Sequence, residues 1–507
     1  MLQCAAIFTD HMVLLRDNSV CIWGTSDNNE KITVSIDGLF VEAVAENGKW
    51  QAYLPLHQAG GPYTLTVSQG GEYVVLEDVL YGEVFLAAGQ SNMEMELVGC
   101  SDGAAEMEIA SYSEIRFYNT YKTGYIDETL EEEIRREAWK CCIGDACKSM
   151  SAVAYFAAKR IYEELRIPVG IIDCYQGGTS ISCWLPTEVL SAYTGGIRYI
   201  DEYNALIGDK TEEKYDEEVA EYWKAWHAWD DRVQAVRSEN PDASWDEISA
   251  YAGECPWPQP AGHKSVFRPS GGYKSMICRI APYTVRAVMY YQGETDAAYA
   301  EDYYPLMEAL IRNWRGLFHN AELPFVITQL PMFIEKDTED DCSWARLREQ
   351  QLMVFENIRN TELLVLADCG EYGNIHPLDK KTPGDRLGKL LLEVLFDSQI
   401  KGRAMFPKRI YRSGKDLVIT FDNTYGGILV EPAEHRDRHA VKPYAFEVAG
   451  GDGSFYPCDY SVRNECIVLH GAGNAMLVRY AWWNYGEVRI WNNAHIPLVP
   501  FGARYVQ

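Results

Sequence analysis

A serine closing an apolar strand and a distant histidine in a loop before a helix are sufficient equipment for acyl transfer. The serine here is Ser91, in Ala88-Gly-Gln-Ser-Asn-Met93, directly after the apolar run Glu83 to Ala88. On a sharp strand-to-helix turn its hydroxyl stands at the sheet edge, and its own backbone N–H can help bind an oxyanion. The histidine is His376, in Gly373-Asn-Ile-His-Pro377. Two further polar segments follow apolar strands. Gln176-Gly-Gly-Thr-Ser180 carries glycines that let backbone N–H groups approach a ligand closely. Tyr290-Tyr-Gln-Gly-Glu-Thr-Asp-Ala297 is the other. Alone, Ser91 reads as a turn serine and His376 as a helix-capping loop residue. Their companion loops make them a candidate nucleophile and general base.

The elements that must position these loops alternate in type. From about residue 81 the chain runs strand then helix. A helical stripe over 153–165 precedes the strand Val169-Gly-Ile-Ile-Asp. A buried strand over 285–291 precedes a helix over 304–317, and Phe325-Val-Ile-Thr is a strand. A helix near 344–358, a strand over 363–367 and a helix near 384–396 complete the series. This pattern predicts an α/β fold: a parallel sheet covered by helices on both faces, with ligands at the carboxyl ends of the strands. Residues 1–80 read as an N-terminal β-sandwich, from alternation such as Lys31-Ile-Thr-Val-Ser-Ile and turn signals at Gly60-Gly-Pro62 and Gly70-Gly71. Residues 81–402 form the catalytic region, and 403–507 a C-terminal β domain. An acidic, Trp-rich stretch over about 200–275 (Trp223, Trp226, Trp229, Trp245, Trp257) interrupts the rhythm as a helical insertion over the sheet. Helical spacing of Trp223, Trp226 and Trp229 favours core packing, with stacking on a sugar the alternative.

Composition removes several classes of function. The 507 residues exceed one hydrophobic core, and 47% hydrophobic with 24% charged residues is ordinary for globular domains. A net charge of −28 repels polyanions, so nucleic acid is not an expected partner. No apolar run is long enough to span a membrane, and the N-terminal residues lack a secretory pattern. With fourteen scattered cysteines and no CxxC pair, this points to a reducing, cytoplasmic setting. No cluster has metal-ligand spacing and no loop is built to cradle phosphate, so neither metal nor cofactor is expected. Glu294 and Asp296 as a glycosidase carboxylate pair is disfavoured, because two positions apart on an extended segment they point to opposite faces. Arg348 and Gln350 read as helical supports.

GQSNM, QGGT followed by Trp184, YQGETDA and IHPLDK resemble, in order, the blocks of an SGNH-type hydrolase, and more narrowly the sialate O-acetylesterase family of carbohydrate esterases. IFTDHMVLLRD, GKWQAYLP, WARLREQQ and RYAWWNYGEVRIWN extend the likeness over nearly the whole chain. The resemblance implies a three-layer SGNH-like catalytic domain and a serine esterase that removes acetyl groups from sugars without a cofactor. It gives Ser91 as nucleophile and His376 as general base. The oxyanion hole takes the N–H groups of Ser91 and Gly178 (or Gly177) and a third donor from the third block. Gln90, Asn92 and Glu294 are candidates for substrate contact.

Two positions depart from the family pattern. Members commonly have Asn where this chain has Asp296, and a carboxylate donates only when protonated, which makes Gln292 the better side-chain donor. An acidic residue usually stands two or three positions before the histidine, where this chain has Gly373 and Asn374. Asn374 could hold the ring through its side-chain oxygen, or Glu371 could reach it if the loop folds back. The sugar (sialic acid, or acetylated xylo- or manno-oligosaccharide) stays open, and a catalytically weak carbohydrate-binding protein or a long-chain lipase-like esterase are the rival readings. Protonation of His376 is expected to lower activity between pH 8 and 5.

Overall fold

The computed structural model describes residues 1–27, 29–240, 243, 245–431, 439 and 444–507; the side chains of Trp245 and Asp246 lie outside the described residues. Its central sheet is organised by β1 (Glu72–Gly89), a single 18-residue strand. The first half of β1 pairs antiparallel with Gly60–Gln69, and its second half, buried from Val79 onward, pairs parallel on both sides. Continuous burial is what a parallel interior strand requires. The expected boundary at residue 80 therefore falls inside one strand, which the N-terminal β region and the catalytic sheet share.

Four strands of this eleven-stranded sheet belong to the N-terminal region; the path that carries the site adds β2 (Ser111–Asn119), β3 (Lys140–Ile143), β4 (Val169–Tyr175), β5 (Ala287–Tyr291), β6 (Phe325–Gln329) and β7 (Thr361–Val365), in spatial order β3-β2-β4-β1-β5-β6-β7. Six run parallel, while β3 pairs antiparallel with β2 at the edge, so the sheet is mixed and not the purely parallel one expected. Strands β2 and β3 escape the sequence reading because Ser111-Tyr-Ser-Glu-Ile-Arg interleaves charge with apolar residues. The buried Arg116 is held by Asp78 and by backbone carbonyls of the N-terminal region.

Helices fill the intervals close to where periodicity puts them. Those that bear on the site are α1 (Ser91–Glu94), α2 (Ala152–Leu165), α3 (Glu212–Glu239), α4 (Trp245–Ala252), α5 (Tyr303–Leu317), α6 (Ser343–Asn357) and α7 (Lys381–Leu395). Helix α2 is capped by Ser151, whose hydroxyl accepts the Ala154 N–H at 3.2 Å, and it packs along α7. Helices α3 and α4 belong to the insertion. They hold a small apolar cluster of their own (Trp229, Val233, Ala243, Ile248, Ala252), separate from the main core. Among the described residues beyond 403, two four-stranded antiparallel sheets and a two-stranded ladder form the C-terminal β region. Among the described residues no helix is long and apolar enough to cross a membrane.

Candidate active site

Four loops at the carboxyl ends of β1, β4, β5 and β7 converge. Gly89 ends β1 with φ +138°, and any Cβ there would overlap the Tyr291 carbonyl of β5, so only glycine lets these strands close up before the turn. Ser91 then opens α1. Its Oγ lies 2.7 Å from Nε2 of His376. With the ring proton on Nδ1 the hydroxyl donates to Nε2, the arrangement a general base needs. Burial, and secondarily the Lys380 cation, push His376 down to about 4, so its imidazole is neutral across the ordinary pH range.

The loop bearing the histidine is held by its backbone. Asn374 Oδ1 accepts the His376 N–H at 3.0 Å, and Glu371 accepts from Asn374 Nδ2 at 2.7 Å. This corrects both expectations for a third triad member, because Asn374 and Glu371 brace the peptide and not the ring. Among the described residues Nδ1 has no hydrogen-bond partner. A second anchor comes from Asn92, whose Nδ2 donates to the Ile375 carbonyl at 3.0 Å and to Glu294 Oε1 at 2.6 Å, while its Oδ1 accepts from Lys380 Nζ at 2.7 Å. Asn92, Glu294 and Lys380 are all buried. Burial raises Glu294 to about 6 and lowers Lys380 to about 8. The residue after the serine thus ties the serine's helix to the histidine's loop.

Gln90, Asn92 and Glu294, expected to contact substrate, are instead buried and hydrogen-bonded within the scaffold. Gln90 Oε1 accepts from Gln292 Nε2 and from the Gly293 N–H, each at 3.1 Å, and so fixes the β1 turn to the third block. Gln292 is also corrected. It is wholly buried, and its Nε2 is occupied by Gln90, the Thr179 carbonyl and Asp296, which leaves no proton for an oxyanion. Asp296 is an acceptor, not a donor. Its carboxylate takes the Ile181 N–H at 3.0 Å, the Tyr199 hydroxyl and Gln292, bracing the QGGT loop, and burial raises it to about 6. Glu294 and Asp296 lie on a 3₁₀ turn, not an extended segment, yet serve opposite sides. Arg348 is buried against the Trp483 and Asn484 carbonyls as a support, while Gln351 and not Gln350 reaches the site's scaffold, bonding the Gln292 carbonyl and the Leu330 N–H.

The backbone donors sort themselves by occupancy. The Gly177 N–H is taken by Glu94, which Lys122 holds at 2.5 Å. A Cβ on Gly177 would stand 3.4 Å from that of Ser91, so the loop lies directly beside the serine. Among the described residues the N–H groups of Ser91 and Gly178 have no partner. A cleft of about 270 Å³ opens over Ser91 and His376, walled by Met95 and Leu378 and by Trp229, Asp230, Val233, Gln234 and Arg237 of α3. Larger hollows elsewhere, including one between the N-terminal strands and the amino end of the sheet, contain neither residue.

The carbohydrate esterase, sialic acid-specific acetylesterase family matches residues 81–217 and 262–393, just over half of the chain. The chain belongs to that family. Its members are carboxylic ester hydrolases, and both matched segments carry the loops described above. Sialate O-acetylesterases of Rattus norvegicus and Mus musculus are 24% and 26% identical over 551 and 559 residues, each covering 99% of this chain and 94% of its own. The crystal structure of a carbohydrate acetylesterase from Xanthomonas citri superposes with TM-score 0.75 at 26% identity over 98% of both chains. The unmatched interval, 218–261, contains most of α3 and all of α4, so this acetylesterase-family chain roofs its cleft with residues outside the family match.

Signals that could have found the remaining site residues were present but weak. Lys380 sits four residues after His376, on the same loop. Glu94 sits three after Ser91, on the same helical turn.

Proposed function

We propose that the chain is a serine carbohydrate esterase, SGNH-type in its α/β/α layering, that removes O-acetyl groups from sugars through a Ser91–His376 acyl-enzyme mechanism. The 2.7 Å contact between Ser91 Oγ and His376 Nε2 at the carboxyl edge of the sheet carries this reading. Ser91 Oγ attacks the acetyl carbonyl as Nε2 takes its proton. The developing oxyanion is met by the free N–H groups of Ser91 and Gly178. Collapse expels the sugar oxygen, which receives the proton from Nε2. Water, deprotonated by the same nitrogen, then attacks the acetyl-serine and releases acetate.

Without a carboxylate on Nδ1 the imidazolium is stabilised less than in a full triad. The backbone bonds from Asn374 and Asn92 supply orientation alone, which supports a modest rate. The small cleft fits a short acyl group. The substrate is read as a small acetylated carbohydrate, with the three-region division at about 80 and 402 kept as an organisational reading. The test is acetate release from O-acetylated xylo-, manno- and sialo-oligosaccharides by the native chain and by Ser91→Ala. Release by the native chain that Ser91→Ala abolishes supports the proposal; release that survives in Ser91→Ala overturns it.

A further inference from the structure

The cleft over Ser91 and His376 has a volume of about 270 Å³. Sites that enclose a whole small ligand run from about 300 to 1,000 Å³. A cleft of that size takes the acetyl group and at most the ring that bears it, so the outer face of that ring meets whatever lines the rim. Two features of the insertion bear on that ring: Arg237 lines the cleft, and Trp257 covers Gly178, next to the Gly177 that lies beside Ser91. Trp257 is 54% exposed although it lies against the catalytic scaffold. The benzo edge of its indole occupies the space over Gly178 that a Cβ would fill, and φ at Gly178 is +74°, so this glycine is what admits the ring. Phe267 meets the indole edge-on, with centroids 5.5 Å apart and planes at 84°, and fixes its plane. The second feature is Arg237, half-buried in the cleft wall on the last turn of α3. Among the described residues it has no hydrogen-bond or ion-pair partner, in a chain whose net charge is −28.

Trp229, by contrast, is committed to structure. Its Nε1 donates to the Gly253 carbonyl at 3.0 Å and its ring fills the insertion's own cluster. That cluster holds α3 and α4 in place independently of the main core. A large exposed indole beside an enzyme cleft is an apolar surface seeking a flat apolar partner, and a sugar ring offers one face of C–H groups rimmed by hydroxyls. A guanidinium supplies several donors for those rim oxygens.

We propose that Trp257 and Arg237 form a sugar-binding subsite at the rim of the cleft, with Trp257 as the stacking platform for the pyranose ring that carries the ester and Arg237 as a donor to its oxygens. This rests on the esterase reading of Ser91 and His376. It predicts that sugar recognition depends on an element outside the family match.

The experiment compares two substrates on the full chain. One is p-nitrophenyl acetate, which has no sugar; the other is whichever of O-acetylated xylobiose, mannobiose or sialyllactose is turned over fastest. Trp257→Ala is expected to raise KM for the sugar ester about five- to tenfold more than for p-nitrophenyl acetate, with kcat moving less than KM. Trp257→Phe should recover most of that difference, and Arg237→Met should also raise KM selectively for the sugar ester. Equal losses on both substrates, or none on either, would overturn the subsite and leave Trp257 as a brace for Gly178. Turnover of p-nitrophenyl acetate with none on any of the three sugars would also overturn it. Ser91→Ala separates the two claims. If it retains turnover on both substrates, the catalytic reading fails, whatever Trp257 does.

Discussion

Activity should persist into acid far below the point where an ordinary histidine would protonate. Burial first and Lys380 second hold His376 at about 4 instead of its usual 6.5. At pH 5 an imidazole with pKa about 4 is about 90% neutral, whereas one at 6.5 is about 3% neutral, a difference of about thirtyfold in competent base. Lys380, at about 8, is half protonated at pH 8 and carries its charge well before the acid limb is reached. The structure thus moves the expected loss of activity from the pH 8–5 range to below 5. The assay is kcat/KM for p-nitrophenyl acetate from pH 8 to 4, with Lys380→Gln in parallel. That variant keeps a donor for Asn92 but removes the charge, so its acid limb should move to higher pH. Thermal unfolding must be followed at each pH. The unfolded chain protonates His376 near 6.5 and the folded one only near 4, so between these values the unfolded state binds more protons and stability declines as pH falls. A native limb centred near 6.5, or no movement in Lys380→Gln, would refute the electrostatic argument.

Two further outcomes follow from the buried scaffold and the cleft. Asp296→Asn, although it restores the residue common in the family pattern, should destabilise the protein by about 1.5–3 kcal/mol. One of the two oxygens that accept from Ile181, Tyr199 and Gln292 becomes a donor facing donors. Thermal unfolding measures this, and an unchanged midpoint would contradict it. The cleft predicts a steep fall in kcat/KM from acetate to octanoate p-nitrophenyl esters. A rise with chain length would favour a lipase-like site.

Much of this arrangement is legible in the chain because it is local. Apolar runs set the strands, and short glycine-rich loops after them set the catalytic edge. Ser91 and His376 stand on such loops and take their roles from the resemblance of those loops to the family's blocks, while their contact depends on how the loops cross β5 and β6. The roles of Gln292, Asp296 and Asn374 were not legible. Each depends on which neighbour claims its hydrogen bonds, and those neighbours (Thr179, Tyr199, the peptide of His376) are set by packing. The sharing of β1 between two regions was hidden for a similar reason: a strand can change partners, and the burial of one face, midway along with no turn residue to mark it. Nothing local in the chain marks Lys380 as a buried cation; its place before α7 and its bond to Asn92 make it one.

The central claim is that Ser91 is made nucleophilic by His376. A fluorophosphonate probe tests it most directly, through a mass shift on the peptide containing Ser91. The account predicts stoichiometric labelling at Ser91 in the native chain, none in Ser91→Ala, and labelling slowed by orders of magnitude in His376→Ala. Labelling that proceeds equally fast in His376→Ala, or that falls on another residue, would contradict it.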